Sequence, residues 1–142
     1  MEIDAFLTPS LPLRALIGAG AGLIVGSFLA AAWLRWPRGE GVVSGRSRCD
    51  SCAAPLRAAE LVPLFSFLFL RGRCRSCGAR IDPRHLAAEV AGAMVGAVAL
   101  LAHPLPLAVL TASFGWWLLL IALLDLEQQW LPDRLTLPLI PL

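Results

Sequence analysis

Three stretches of about 20 residues, almost free of charge, constrain what this chain can fold into. A helix rises about 1.5 Å per residue, so about 20 apolar residues cross the roughly 30 Å hydrocarbon core of a bilayer. The whole chain of 142 residues is 58% hydrophobic and only 15% charged, whereas soluble domains carry about 25% charged residues. The pattern predicts an all-α polytopic membrane protein.

The charged residues divide the chain into membrane and aqueous parts. Gly18, Gly22 and Gly26 recur at four-residue intervals in the first apolar stretch, a pattern that allows another helix to approach closely. Acidic residues before this stretch and arginines after it argue against a cleaved secretory signal. We expect an external N-terminus at 1–14, spans at 15–34, 85–102 and 105–124, a cytoplasmic loop at 35–84, and a further loop leading into a fourth helix at 125–142.

The loop at 35–84 holds ten of the twelve basic residues of the chain, all arginine, against four acids. Because short loops rich in arginine stay on the cytoplasmic side of a membrane, the loop is expected inside and the N-terminus outside. The loop is tethered at both ends and lacks a further basic cluster, so we expect no nucleic-acid partner. Its arginines fit a role in topology and in contacts with the lipid bilayer.

Two Cys-x-x-Cys pairs in this loop predict a metal site. Cys49 and Cys52 are followed, after 21 residues, by Cys74 and Cys77. Each pair places two sulfurs on one tight turn, and two such turns supply the tetrahedral set that structural zinc requires. Disulfides need an oxidising compartment, and the cytoplasm is reducing. We therefore expect a small zinc-binding loop domain.

An apolar segment, residues 61–70, lies between the two cysteine pairs. Ten residues are too few to span a bilayer. The segment is expected to lie in the membrane interface or to pack against the cysteine turns. A surface that faces a substrate is a further possibility that the sequence leaves open.

Acidic residues occur at the edges of two spans. Glu89 lies about one turn inside the second span, where an acid either reaches the surface or has a function. Asp125 directly follows the third span, so we expect it to be partly desolvated, and burial raises a carboxyl pKa toward the range of a general acid or base. Glu127 and Asp133 fit a solvated helix end, with Asp133 capping the fourth helix.

Six short motifs, in order along the chain, resemble the N-terminal half of the prepilin peptidases, or type IV leader peptidases. They are Gly26-Ser27-Phe28-Leu29 with Arg35-x-Pro37, the two cysteine pairs, Leu61-Val62-Pro63-Leu64-Phe65-Ser66, Arg71-Gly72-Arg73-Cys74, Arg84-x-x-x-x-Glu89, and Asp125 followed by Pro132-Asp133. The ordered series is far more specific than any single motif.

The resemblance implies an aspartic endopeptidase of the bacterial inner membrane. Such enzymes cut the leader from type IV prepilins and type II secretion pseudopilins, and many methylate the new N-terminus with S-adenosylmethionine. Position by position, Asp125 matches the first catalytic aspartate of the family. The four cysteines, Cys49, Cys52, Cys74 and Cys77, match its zinc-binding cytoplasmic domain.

Three features depart from the family pattern. Ala30 stands where the family usually has Asn, and Leu86 stands where it has Pro. The second catalytic aspartate of the family belongs to a Gly-x-Gly-Asp motif in a later helix, and these 142 residues contain no such motif. The sequence therefore predicts a fragment or a truncated relative that is inactive by itself.

Two other functions stay open at this point. One is a non-catalytic membrane zinc protein whose loop docks a secretion or pilus partner. The other is a membrane thiol oxidoreductase, which would cycle its cysteines and bind no metal. No thioredoxin-like βαβ pattern surrounds either cysteine pair, so the second alternative ranks last.

Overall fold

The computed structural model describes residues 10–42 and 46–128. They form four α-helices, which are α1 (Leu11–Arg35), α2 (Phe65–Phe69), α3 (Pro83–Ala102) and α4 (Leu105–Gln128), with 3-10 turns at Trp36–Arg38 and Ala58–Leu61. This part of the chain contains two isolated β-bridges and no strand. The prediction of an all-α fold is confirmed.

Three of the helices are long and apolar enough to cross a membrane. The candidate spans are Leu11–Arg38, Pro83–Ala102 and Leu105–Leu126, and each contains an 18-residue stretch whose mean hydropathy is 2.0, 1.7 and 2.2, respectively. The prediction of three spanning helices is thereby confirmed. The fourth helix and Asp133, which the sequence placed at 125–142, lie outside the described residues.

The helix ends differ from the predicted span limits because backbone hydrogen bonding continues beyond the apolar residues. Helix α1 begins four residues before the predicted limit of 15. Helix α3 begins at Pro83, preceded by Asp82, whose side chain caps the helix by accepting from the Arg84 N–H at 2.9 Å. Helix α4 continues to Gln128, so Asp125 lies in a helix and the expected loop at this position is wrong.

Helices α1 and α3 run antiparallel and pack at the distance of backbone contact. A Cβ atom added at Gly22 would lie 2.1 Å from the carbonyl oxygen of Gly92, and one at Gly18 would lie 2.3 Å from that of Gly96. No residue with a Cβ fits at such distances without a shift of the backbone. The glycine pattern of the first span is therefore a helix-packing surface, and its partner is a second glycine pair on α3.

Helix α4 packs against α1 and α3, and the indole of Trp116 makes the polar contact. The Trp116 Nε1–H donates to the carbonyl of Gly92 at 2.9 Å. At the end of the bundle where the loop joins α1 and α3, side chains of the three spanning helices form one apolar cluster. Its buried members are Leu29, Ala30, Ala32, Trp33, Ala88, Leu120, Leu123 and Leu124. This cluster brings the C-terminal end of α4 to the same side of the bundle as the loop.

Substitution of Gly22 by alanine tests the backbone contact, with Gly20 as a matched control in the same helix. Gly22→Ala forces its Cβ against α3 and should destabilise the fold by about 1–3 kcal/mol. Gly20 has no neighbouring atom within 4 Å of an added Cβ, so Gly20→Ala should be neutral or stabilise the helix by up to about 1 kcal/mol. Unfolding in mixed micelles, followed by circular dichroism, measures the difference. Equal stability of the two variants would contradict the packing.

Candidate metal centre and the adjoining cavity

The loop between α1 and α3 contains two turns that are built in the same way, turn 1 at 48–55 and turn 2 at 73–80. Each is closed by one antiparallel bridge, Arg48 with Pro55 and Arg73 with Arg80. Inside each turn a backbone N–H donates to the carbonyl of the first cysteine at 2.9 Å, from Ala53 in turn 1 and from Gly78 in turn 2. Each turn thereby presents two sulfurs side by side.

The residue after the second cysteine of each turn adopts a left-handed conformation. Its φ is 57° at Ala53 and 72° at Gly78. Glycine accepts this conformation without penalty, whereas an L-residue pays about 1–2 kcal/mol. Turn 1 is therefore strained at Ala53, and turn 2 is not strained at the matching position.

The two turns bring all four predicted ligands together. The sulfurs of Cys49, Cys52, Cys74 and Cys77 all lie within 4.8 Å of one another, and those of Cys49 and Cys77 are 4.0 Å apart. A tetrahedral site with Zn–S bonds of about 2.3 Å needs sulfurs about 3.8 Å apart. A disulfide needs about 2.05 Å, and the four cysteines are free. The arrangement can hold a metal ion.

The charges of the thiols also favour a cation at this point. The backbone N–H groups of Cys77 and Ser76 lower the pKa of the Cys74 thiol to about 7. The N–H of Ala54 lowers the pKa of Cys52, but the neighbouring sulfur of Cys77, burial and the other two sulfurs together raise it to about 11. The thiols of Cys74 and Cys52 therefore do not ionise together at neutral pH unless a bound cation compensates their charge.

Ion pairs attach the turns to their surroundings. The Arg35 guanidinium, at the end of α1, lies 3.5 Å from the Asp50 carboxylate and donates to the carbonyl of Arg48 at 3.2 Å. In turn 2 the Arg75 guanidinium lies 3.2 Å from the Glu60 carboxylate. Some of the loop arginines that the sequence assigned to topology and lipid contacts thus also hold the loop together.

Glu89 binds the loop from the side of the membrane helices. Its side chain is buried, with a residue exposure of 7%, and its Oε2 accepts from the Leu64 N–H at 2.7 Å. Leu64 has φ 63° and ψ −52°, and the Phe65 N–H donates to the Pro63 carbonyl at 2.6 Å. These values define a γ-turn of the rare, strained type. Glu89 therefore does not reach the surface; it holds a strained turn.

A cavity of about 310 Å³ lies between the two turns and the loop ends of the helices. Among the residues that line it are Ser27, Arg35, Asp50, Phe67, His85 and Glu89. The sequence did not predict this cavity. The i, i+4 spacing of His85 and Glu89, which places both on one face of α3, was its only signal.

Asp125 lies in the last turn of α4, directly after the fully buried Leu124. Its side chain is exposed in the described part of the chain. The expected desolvation by neighbouring protein is therefore not observed among these residues. Asp125 is not among the described residues that line the cavity. The structure thus places it at the loop side of the bundle, apart from the cysteines.

The fold and the site define a class: a polytopic membrane protein with a four-cysteine loop beside the end of its third span. Residues 21–103 match the family model described as Bacterial Peptidase A24 N-terminal domain. The chain belongs to this family, and the resemblance to the N-terminal region of prepilin peptidases is confirmed. No solved structure matches the chain significantly.

Several relatives carry names that describe an activity. The chain is 36% identical over 121 residues to the prepilin leader peptidase/N-methyltransferase of Bacillus subtilis (strain 168), an alignment that covers 84% of this chain and 49% of the relative. It is 34% identical over 148 residues to the type 4 prepilin-like proteins leader peptide-processing enzyme of Escherichia coli O78:H11, with coverages of 89% and 53%. It is 41% identical over 95 residues to the prepilin leader peptidase/N-methyltransferase of Dichelobacter nodosus, with coverages of 66% and 33%. The chain thus spans a third to about half of the length of these relatives.

The two matched turns allow a paired test of backbone strain. Ala53→Gly should raise metal affinity and Gly78→Ala should lower it, each by about fivefold or more, because a left-handed L-residue costs about 1–2 kcal/mol and metal binding is coupled to folding of the turns. An added Cβ at Gly78 has no atom within 4 Å, so the change acts on the backbone alone. Competition with a chromophoric chelator measures both affinities. A shift of both variants in the same direction would contradict the strain at Ala53.

Proposed function

We propose that this chain is the membrane-embedded N-terminal part of a prepilin leader peptidase. In this proposal it contributes to an aspartic-type endopeptidase that cuts the leader from type IV prepilins and type II secretion pseudopilins. The observation that carries the proposal is the 36% identity over 121 residues with a relative named for this activity. The position of Asp125 at the loop side of α4 supports it further.

Asp125 is proposed as one of two catalytic carboxyl groups. An aspartic peptidase needs two such groups about 3 Å apart that share one proton, so that one activates water while the other protonates the substrate carbonyl. Glu127 is two positions further along α4, and its backbone position is rotated by about 200° around the helix axis. Helix geometry therefore does not favour Glu127 as the second carboxyl group. Asp133 lies outside the described residues. Because residues 1–142 contain no Gly-x-Gly-Asp motif, which carries the second catalytic aspartate in the family, we place the second carboxyl group outside this stretch.

The metal is proposed to be zinc with a structural role. Four thiolates are the donor set of closed, four-coordinate zinc sites, which leave no position for a substrate. The proposal also extends to this protein the N-methyltransferase activity in the names of its relatives. S-adenosylmethionine would supply the methyl group, and none of the residues discussed above is assigned to it.

The protein is proposed to reside in the bacterial inner membrane with the four-cysteine loop in the cytoplasm. The excess of arginine in the loop supports this orientation. Because Asp125 lies on the loop side of the bundle, the same orientation places the proposed catalytic group near the cytoplasmic surface. A leader peptide that is rich in basic residues stays on that side for the same electrostatic reason.

The role of Asp125 is tested by cleavage of a prepilin in lipid vesicles. Residues 1–142 alone should not cleave it. In a chain that includes the second carboxyl group, Asp125→Asn should lower the cleavage rate by about 10²–10⁴-fold, since acid–base catalysis is lost. Glu127→Gln, the control two residues away, should keep the activity, and both variants should keep their metal. Cleavage by residues 1–142, or a fully active Asp125→Asn variant, would refute the assignment.

The metal is tested by elemental analysis of the purified chain, which should contain one zinc ion. Cys74→Ser should remove most of it, because three thiolates and a hydroxyl bind zinc far less tightly. Ser76→Ala, a control in the same turn, should retain it. Since the Cys74 thiol has a pKa of about 7, its thiolate is present above this pH and is lost below it. Zinc affinity should therefore fall steeply between pH 7 and pH 5. Full zinc retention at pH 5, or a metal-free protein, would contradict the site.

A further inference from the structure

We propose that the apolar segment, residues 61–70, is inserted into the lipid leaflet on the loop side of the membrane and is held at its depth by Glu89. The occupant of its exposed surface is lipid: acyl chains on its apolar side chains and anionic headgroups on the flanking arginines. This inference rests on the spanning helices and on contacts in the loop. It does not depend on the proposed peptidase activity.

The segment exposes large apolar side chains that the described residues, 10–42 and 46–128, leave uncovered. The exposed fractions are 46% for Leu61, 46% for Val62, 53% for Phe65, 60% for Leu68 and 84% for Phe69. A contiguous apolar surface of this kind marks contact with a membrane or with another protein. Ten residues cannot cross the bilayer, so a membrane contact must be interfacial.

The contact with Glu89 fixes the depth of the segment relative to the spans. Helix α3 has 20 residues, a length of about 30 Å that matches the hydrocarbon thickness of a bilayer. Glu89 lies six residues after Pro83, which is about 9 Å along the helix axis. Because the Leu64 N–H donates to Glu89 Oε2 at 2.7 Å, Leu64, the fourth residue of the segment, lies at the level of the hydrocarbon boundary or inside it.

The exposed surface of the segment is continuous with the exposed surface of α1. Leu61 lines the same surface groove as Ile24 and Phe28 of α1. These two residues belong to the first span, and their exposed fractions are 67% and 49%. The groove is also lined by Ser27, Arg35, Arg46 and Ser47. Lipid that covers the first span can therefore reach Leu61, with acyl chains on Ile24 and Phe28 and headgroups beside the arginines.

The charges at the two ends of the segment complement lipid headgroups. Arg57 lies four residues before Leu61, Arg71 directly follows the segment, and both are exposed. Glu60, which directly precedes the segment, is paired with Arg75. Neither Arg57 nor Arg71 forms an ion pair with another residue in the described ranges 10–42 and 46–128. Arginine side chains at this level can extend to phosphate groups while the apolar residues between them enter the leaflet. This combination favours lipid as the occupant over a second protein surface.

Photocrosslinking in lipid identifies the occupant directly. The zinc-loaded chain is placed in nanodiscs of neutral and anionic phospholipids, with benzoylphenylalanine at position 69, at position 28 as a lipid-facing reference, or at position 76 in turn 2. Irradiation at position 69 should give lipid adducts at a yield similar to position 28 and at least about fivefold above position 76. Adducts to protein only, from a second copy or another segment, would overturn the proposal. A yield equal to that at position 76 would do so as well.

A pair of variants at Glu89 tests the depth contact. Glu89→Leu removes the acceptor for the Leu64 N–H, whereas Glu89→Gln retains an oxygen at the same position. With the probe at position 69 and equal metal content, Glu89→Leu should lower the lipid-adduct yield by about threefold or more, because the strained turn is released. Glu89→Gln should keep the yield. An unchanged yield in Glu89→Leu would show that this carboxylate does not hold the segment at its depth.

Discussion

The backbone contact between α1 and α3 is the constraint on which the rest of the structure depends. Carbonyl groups of one helix lie where a Cβ of the other would be, at Gly22 against Gly92 and at Gly18 against Gly96. In a bilayer the lipid tails are as apolar as the side chains, so hydrophobic burial does not drive the helices together. Close van der Waals packing stabilises their association instead. The contact also sets the spacing between the end of α1 and the start of α3. The loop therefore starts and ends at two points that lie close together. Its two turns, ion pairs and strained γ-turn lie between these points.

The loop is connected to the helices by polar contacts of two kinds. Arg35 joins turn 1 to the end of α1, and Glu89 joins the apolar segment to α3. Between these contacts lies the cavity, so its walls come from elements that are far apart in the sequence. A metal on the four cysteines would fix the two turns against each other and complete this frame. The loop would then be a rigid unit on the membrane surface.

The spans and the cysteine cluster could be predicted from the sequence because their signals are local. A run of apolar residues and a Cys-x-x-Cys spacing each specify a structure within a few residues. The partner of Glu89 could not be predicted, since it is a backbone N–H of Leu64 whose direction depends on a rare turn. The burial of Asp125 was misjudged for a related reason. Adjacent helix positions differ by about 100°, and although Leu124 is fully buried, the next side chain faces outward.

All three spanning helices meet at a single main-chain oxygen. The carbonyl of Gly92 fills the space opposite Gly22 of α1 and accepts the indole N–H of Trp116 from α4. A displacement of α3 away from α1 therefore also moves the carbonyl that accepts the hydrogen bond from α4. Asp125 follows Trp116 by nine residues, about 14 Å along the same helix. The position of this carboxylate at the loop side of the bundle thus depends on the contact between Gly22 and Gly92, which lies within the spans.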